Sequence, residues 1–305
     1  MCAYTEWVGR GCGPCADCGA RELPASRWQH CNPRCAAALH GRDGGDMRIL
    51  VTNDDGIDAD GLEALEAVAR ELSDDVWVVA PQTEQSAKSH SLTMHEPIRI
   101  HQYDERRFAV KGTPADCVLL ACMEVMPDKR PDLILSGINR GMNVAEDVTY
   151  SGTIAAAMEG ALLEIPSIAL SMAYSQRDQF DWRTPKAHAP EIIRELIKTG
   201  WPDGNLVNIN FPARPPEGVE GVKVCPQGRR KIGEKLDKRH DPKGRPYFWI
   251  GGPCDEPYDD HPGADYMQLQ KGYITVTPLQ MDLTNYRALE DIREQFEDKA
   301  ELVLA

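Results

Sequence analysis

The stretch RILVTNDDGID, Arg48 to Asp58, decides the fold. Its apolar, β-branched opening reads as a buried strand, and a polar turn follows at once. Asp54 and Asp55 stand side by side at the strand's tip, directly before Gly56. One aspartate satisfies a turn. A second beside it adds repulsion, which a divalent cation relieves because hard cations take carboxylate oxygens. The next segment, GLEALEAVARELS, places Leu62, Leu65, Val68, Ala69 and Leu72 on one helical face, and DVWVVAP is a second strand ended by Pro81. Strand, helix, strand is the unit of a parallel sheet.

Working outward, the same alternation continues. IRIHQY and RRFAVKG form a short hairpin around Asp104 and Glu105. TPADCVLLACMEVM begins a helix with Thr113 as its cap, Pro114 in the first turn and Asp116 three residues after the cap. PDLILSG is a central strand, SGTIAAAMEGALLE a helix opening at Ser151, and PSIALSM the strand after it. TPKAHAPEIIRELIKTG and NLVNINFP extend the pattern. After Pro212 the chain turns rich in Pro, Gly and charge, which suggests long loops and hairpins, before a late strand GYITVTPL and a terminal helix from Asn285. The reading is an α/β protein with a mostly parallel sheet and helices on both faces.

In an open parallel sheet the ligand crevice lies beyond the carboxyl ends of the strands, where strand order reverses. Four polar clusters fall at that rim. The aspartate pair, preceded by Asn53, follows the first strand. The loop QTEQSAKSHS after the second offers Ser86, Ser89, Ser91 and His90. LSGINRGMN combines Gly137 and Gly141 with Asn139, a source of neutral oxygen, and with Arg140 and Asn143; an arginine there suits phosphate. Ser151, Gly152 and Thr153 open a helix whose free N–H groups and dipole favour an anion, and Thr113 opens a second. Capping alone explains either helix start, and an ordinary Gly-Asn loop or a solvated polar loop explains the others, but the aspartate pair exceeds what a turn needs. Together, a dicarboxylate and helix starts at one rim describe a place for a phosphate ester.

The 305 residues carry a formal charge of −14, with 42% hydrophobic and 27% charged residues. That balance argues against broad capture of a nucleic-acid polymer. No apolar run approaches the roughly 20 residues of a membrane helix, and no secretory leader is evident, so a cytoplasmic protein is expected. Of ten cysteines, six (Cys2, Cys12, Cys15, Cys18, Cys31 and Cys35) precede Met47, leaving only Cys117, Cys122, Cys225 and Cys254 in the body, which reads as reduced. Residues 1 to 46 are read as a disordered leader or as sequence outside the working protein, with 47 to 305 as the functional domain. A zinc-binding module built from CGPCADC and CNPRC is the alternative.

At this point MRILVTNDDGI, GTPADCV, DLILSGINRGMN, YSGTIAAAMEG and GYITVTPL, in this order and spacing, resemble the SurE (survival protein E) family of 5'/3'-nucleotidases over Met47 to about Leu283. The resemblance implies a Rossmann-like core and a phosphatase of nucleoside monophosphates, with short polyphosphate a further substrate of some members. It implies one divalent ion per subunit, Mn or Mg, held by Asp54, Asp55, Ser86 and Asn139. Asp54 or Asp55 is expected to orient or deprotonate the attacking water, and Asn53, Thr113, Arg140, Asn143, Ser151, Gly152 and Thr153 are the expected substrate contacts. It also implies a C-terminal hairpin extension, between Arg229 and Asp265, that joins subunits into homodimers or homotetramers. Residues 1 to 46 have no counterpart in that pattern. Two rivals stand beside it: a nucleotide-binding regulator without turnover, and an aspartyl-phosphate phosphatase, whose aspartates are separated by one residue rather than adjacent.

Overall fold

The computed structural model describes residues 47–174, 180–200, 204–230, 236–250 and 261–297. The cysteine-rich 1–46 region therefore lies outside the described residues, as does Cys254. The strand Ile49–Thr52 (β1) is buried along its whole length. It leads through helix Asp60–Arg70 (α1) to Val76–Pro81 (β2), which lies parallel to β1. The hairpin Ile100–Asp104 (β3) and Arg107–Val110 (β4) follows, with β4 parallel to β2.

Helix Pro114–Leu120 (α2) starts with the expected capping box: Thr113 Oγ1 accepts from the Asp116 N–H, and the Asp116 carboxylate accepts from the Thr113 N–H. Instead of running straight on, it widens into a π turn over Ala121–Val125. Leu133–Arg140 (β5) then crosses back to the other side of β1. Gly152–Leu162 (α3), Ser167–Met172 (β6), Arg183–Thr199 (α4) and Asn205–Phe211 (β7) extend the parallel sheet. Val222–Val224 (β8), Asp265–Gln270 (α5) and Ile274–Gln280 (β11) complete the far edge, β11 running antiparallel to β7. Between β8 and α5 the chain forms a separate hairpin, Leu236–His240 (β9) with Pro246–Ile250 (β10), and the described chain ends in Tyr286–Glu297 (α6).

The sheet order is β3-β4-β2-β1-β5-β6-β7-β11-β8. Side-chain alternation along the strands sorts the core into two layers. Ile49 and Val51 of β1, Leu133 and Leu135 of β5 and Leu170 of β6 join Leu62, Leu65 and Val68 of α1 and Ile193 of α4. Leu50 and Ile134 point the other way, to Cys117 and Val118 of α2, while Ala169 meets Ile154 and Ala157 of α3. Helices thus cover both faces, as expected. The chain leaves β1 toward β2 on one side and reaches β5 on the other, so strand order reverses between β1 and β5. A crevice is forced open at that point, beyond the strands' carboxyl ends.

One boundary differs from the sequence reading. The apolar run ends at Leu135, which suggests a loop from Ser136 onward. The strand instead continues to Arg140, with a register shift against β6 between Ser136 and Asn139. Gly137 makes this possible. Its φ is +136°, and a Cβ there would stand 2.2 Å from the Leu170 carbonyl oxygen, an approach only glycine permits.

Candidate active site

A cavity of about 820 Å³ opens at the reversal point, and Asp54, Asp55, Ser86 and Asn139 all line it. They arrive from the ends of β1, β2 and β5. Asp54 is 4% exposed. Its Oδ1 accepts a 2.5 Å hydrogen bond from Thr153 Oγ1, and its backbone carbonyl accepts from the Gln85 N–H at 2.7 Å. Gly152 lies against it: a Cβ on that glycine would meet Asp54 Cβ at 2.7 Å and Oδ2 at 2.9 Å. The start of α3 is therefore packed onto the first aspartate. Asp55 Oδ2 accepts from the Arg140 N–H at 3.3 Å, which ties β1's tip to the end of β5.

Burial pushes the Asp54 carboxyl above the usual carboxylate range, against the bond from Thr153. Asp55 is pushed up to about 6 by burial and then by the charge of Asp54. A buried and a half-buried carboxylate, side by side and with their charged forms both disfavoured, fit a cation. Ser86 Oγ donates to Glu84 Oε1 at 2.8 Å, leaving oxygen lone pairs to share. Asn139 Nδ2 donates to the Gly141 carbonyl at 2.8 Å, so Oδ1 is the atom it can present to a cation. Among the described residues no three His, Cys, Asp or Glu side chains cluster for a metal. A site here is therefore one of two carboxylates and neutral oxygens, the donor set of a hard cation rather than of zinc.

The remaining expected contacts divide. Arg140, Asn143 and Ser151 line the cavity. Ser151 caps α3, its Oγ accepting from the Ile154 N–H. Asn143 lies in a buried amide network: its Nδ2 donates to Ser171 Oγ at 2.8 Å, and its carbonyl accepts from Asn208 and Asn210. Gly152 and Thr153 act one step back, through Asp54. Asn53 does not line the cavity; its amide and Gly56 bond each other in both directions and shape the turn. Thr113 also stands away from it, its hydroxyl donating to the Ser91 carbonyl at 2.7 Å while capping α2. Of the loop residues, Ser89 is pinned to the Thr149 carbonyl and His90 to Glu159 at 2.8 Å, which hold the Ser86 loop in place.

Several residues in the cavity wall, and one behind it, carry no signal in the sequence. Asp147 and Arg230 form a buried pair at 3.3 Å, both in the lining. Asp265, fully buried on α5, accepts from the Ala145 and Gly228 N–H groups and so clamps two loops together. Tyr174 and Phe180 supply aromatic surface. Each is a single residue in an unpatterned stretch, and only the fold gathers them.

Fold and site together define a doubly wound α/β protein with an acidic, oxygen-rich crevice at its switch point. Known proteins share this sequence and fold. Residues 49–234 match the family described as survival protein SurE. The chain is 52% identical over 242 residues to 5'-nucleotidase SurE of Methylorubrum extorquens (strain PA1), covering 78% of this chain and 95% of that protein. It is 51% identical over 250 residues to 5'-nucleotidase SurE of Brucella suis biovar 1, with 81% and 97% covered. The crystal structure of SurE protein from Aquifex aeolicus superposes with a TM-score of 0.72 at 39% identity, covering 81% of this chain and 99% of that one. This chain belongs to the SurE family.

Proposed function

We propose that the protein is a divalent-metal-dependent phosphomonoesterase that hydrolyses nucleoside 5'-monophosphates to nucleoside and phosphate. The carrying observation is the convergence of Asp54, Asp55, Ser86 and Asn139 from three strand ends on one cavity, beside the N-terminus of α3. Family membership, with relatives named 5'-nucleotidase at about half identity, supports the same reading.

Asp54, Asp55, Ser86 and Asn139 would hold the ion. When bound, a divalent ion of the Mn or Mg type polarises a phosphate oxygen and lowers the pKa of a water. The chain's own residues do the rest. Asp54 is fixed by Thr153 and Gly152 and keeps its orientation without rearrangement. Asp55 faces the cavity, less constrained than Asp54, where its carboxylate can orient the attacking water or accept its proton. The positive dipole end of α3, which meets the cavity at Ser151, and the side chain of Arg140 face the oxygens of the phosphate as charge spreads over them. A nucleotide-binding regulator would need the same pocket without turnover. An aspartyl-phosphate enzyme separates its two aspartates by one residue, whereas Asp54 and Asp55 are adjacent.

No helix among the described residues is long and apolar enough to cross a membrane. Cys117, Cys122 and Cys225 are buried free thiols, which supports a reducing, cytoplasmic setting for this activity. Phosphate release from a panel of nucleoside monophosphates with Mn or Mg, with and without chelator, tests the reading. Release is expected only with metal, and Asp54→Ala and Asp55→Ala are expected to abolish it while circular dichroism stays native. Turnover that survives chelation, or near-normal release by either variant, defeats it.

A further inference from the structure

The cavity is much larger than a phosphate and an ion require. At about 820 Å³ it lies within the roughly 300–1,000 Å³ that hold a whole small molecule. The aspartates and the α3 start account for part of its lining only. Another part is aromatic. Tyr174 stands just past the end of β6 and is 52% exposed. Its centroid is 5.8 Å from that of Phe180, at an interplanar angle of 69°. Phe180 is itself stacked on Trp182 at 5.3 Å and 12°, and the Arg140 guanidinium sits over its ring at 5.4 Å. Tyr174 is thus the outermost ring of a braced series rather than a loose surface tyrosine.

It lies close to Asn139, with Gly141 beside both. A methyl group at Gly141 would stand 3.8 Å from Asn139 Nδ2 and 3.8 Å from Tyr174 Cε1. The Tyr174 ring edge and the Asn139 side chain therefore stand on either side of Gly141, close enough for one nucleotide to reach both.

We infer that Tyr174, backed by Phe180, is the platform on which the nucleobase stacks, and that it makes the site prefer nucleotides over phosphomonoesters without a ring. The inference rests on the nucleotidase reading above. Stacking on an aromatic face tolerates any base, because every base presents a π surface, so the platform separates nucleotides from ring-free esters rather than one base from another.

The test compares adenosine 5'-monophosphate with glycerol 2-phosphate in steady-state kinetics on the full chain. Tyr174→Ala is expected to raise KM for the nucleotide about tenfold, the scale of one base–aromatic stack, with kcat within about twofold. The ratio of kcat/KM for nucleotide over glycerol phosphate then falls about tenfold, and Tyr174→Phe restores it. An equal fall with both esters, or no change in the ratio, overturns the inference. Should the wild-type protein release phosphate from no monophosphate, the hydrolytic reading falls, and direct binding of adenosine 5'-monophosphate decides the platform alone. At least tenfold weaker binding by Tyr174→Ala supports it. Equal affinity, or no binding by the wild type, overturns it.

Discussion

Protons and a divalent ion compete for the same oxygens at Asp54 and Asp55. Without an ion, burial and mutual repulsion hold the Asp55 carboxyl at about 6, above its unfolded value near 4. A carboxyl raised in this way favours the folded state below pH 4, and that contribution is lost as pH rises through 6. Ion binding acts in the opposite direction, since it needs the charged form. The stabilisation that Mn or Mg gives to the melting temperature is therefore expected to be full above about pH 7 and to shrink steadily below 6. Asp55→Asn should remove that metal-dependent shift while making the metal-free protein more stable at pH 7. An ion-induced shift equal at pH 5 and pH 8 would count against a carboxylate site. Gly152 offers a separate check. A Cβ there presses on Asp54 at 2.7 Å, and displacing a reacting group by about 1 Å can cost about a hundredfold in rate. Gly152→Ala is expected to lose kcat on that scale with its circular dichroism unchanged.

Thr113 and Ser151 are both helix N-caps, yet the fold gives them different work. Thr113 serves α2 and the Ser91 carbonyl, away from the cavity; Ser151 serves α3 and lines it. Removing either cap costs about 1 kcal/mol. Thr113→Ala is accordingly expected to lower the melting temperature by a few degrees with kcat/KM intact, while Ser151→Ala lowers both. Loss of turnover in Thr113→Ala would return that residue to the substrate contacts that the motif suggests. Most elements were legible from the chain because hydrophobic period and capping are local: the α2 capping box, the β3–β4 hairpin and α3's start all follow from neighbouring residues. The end of β5 was not legible. Asn139 and Arg140 sit on a strand that a run of Gly and Asn disguises, because Gly137 reaches β6 with a backbone angle no other residue adopts easily. The aspartate pair was visible as two adjacent letters at a strand tip. Asp147, Arg230, Tyr174 and Asp265 were hidden, since their meeting depends on long-range topology and not on spacing. Gly137→Ala tests the strand's end directly. It should destabilise the protein by roughly 2 kcal/mol or more through the positive φ alone.

At the scale of the whole molecule, apolar surface is left that no element among the described residues covers. Every residue of β9 and β10 is exposed, among them Tyr247, Phe248, Trp249 and Ile250 in sequence. On α6, Tyr286, Leu289, Ile292 and Phe296 recur at helical spacing and are exposed too. A two-stranded hairpin is marginal in water unless something packs against it, and a chain of net charge −14 does not expose large aromatics for solubility. A second copy of the chain is the simplest partner, because it presents the same hairpin and helix in a self-complementary arrangement. The protein is therefore expected to run as a dimer or tetramer in size-exclusion chromatography with light scattering. The paired change Phe248→Asp with Trp249→Asp should shift it toward monomer. The hairpin is strung between Arg230, in the cavity wall, and Asp265, which clamps the Ala145 and Gly228 loops. Freeing it from a partner loosens both anchors, so activity should fall several-fold along with the assembly while the sheet and its metal-induced stabilisation persist. A wild-type monomer at micromolar concentration, or a monomeric variant with full activity, would show that the hairpin answers to neither a partner nor the site.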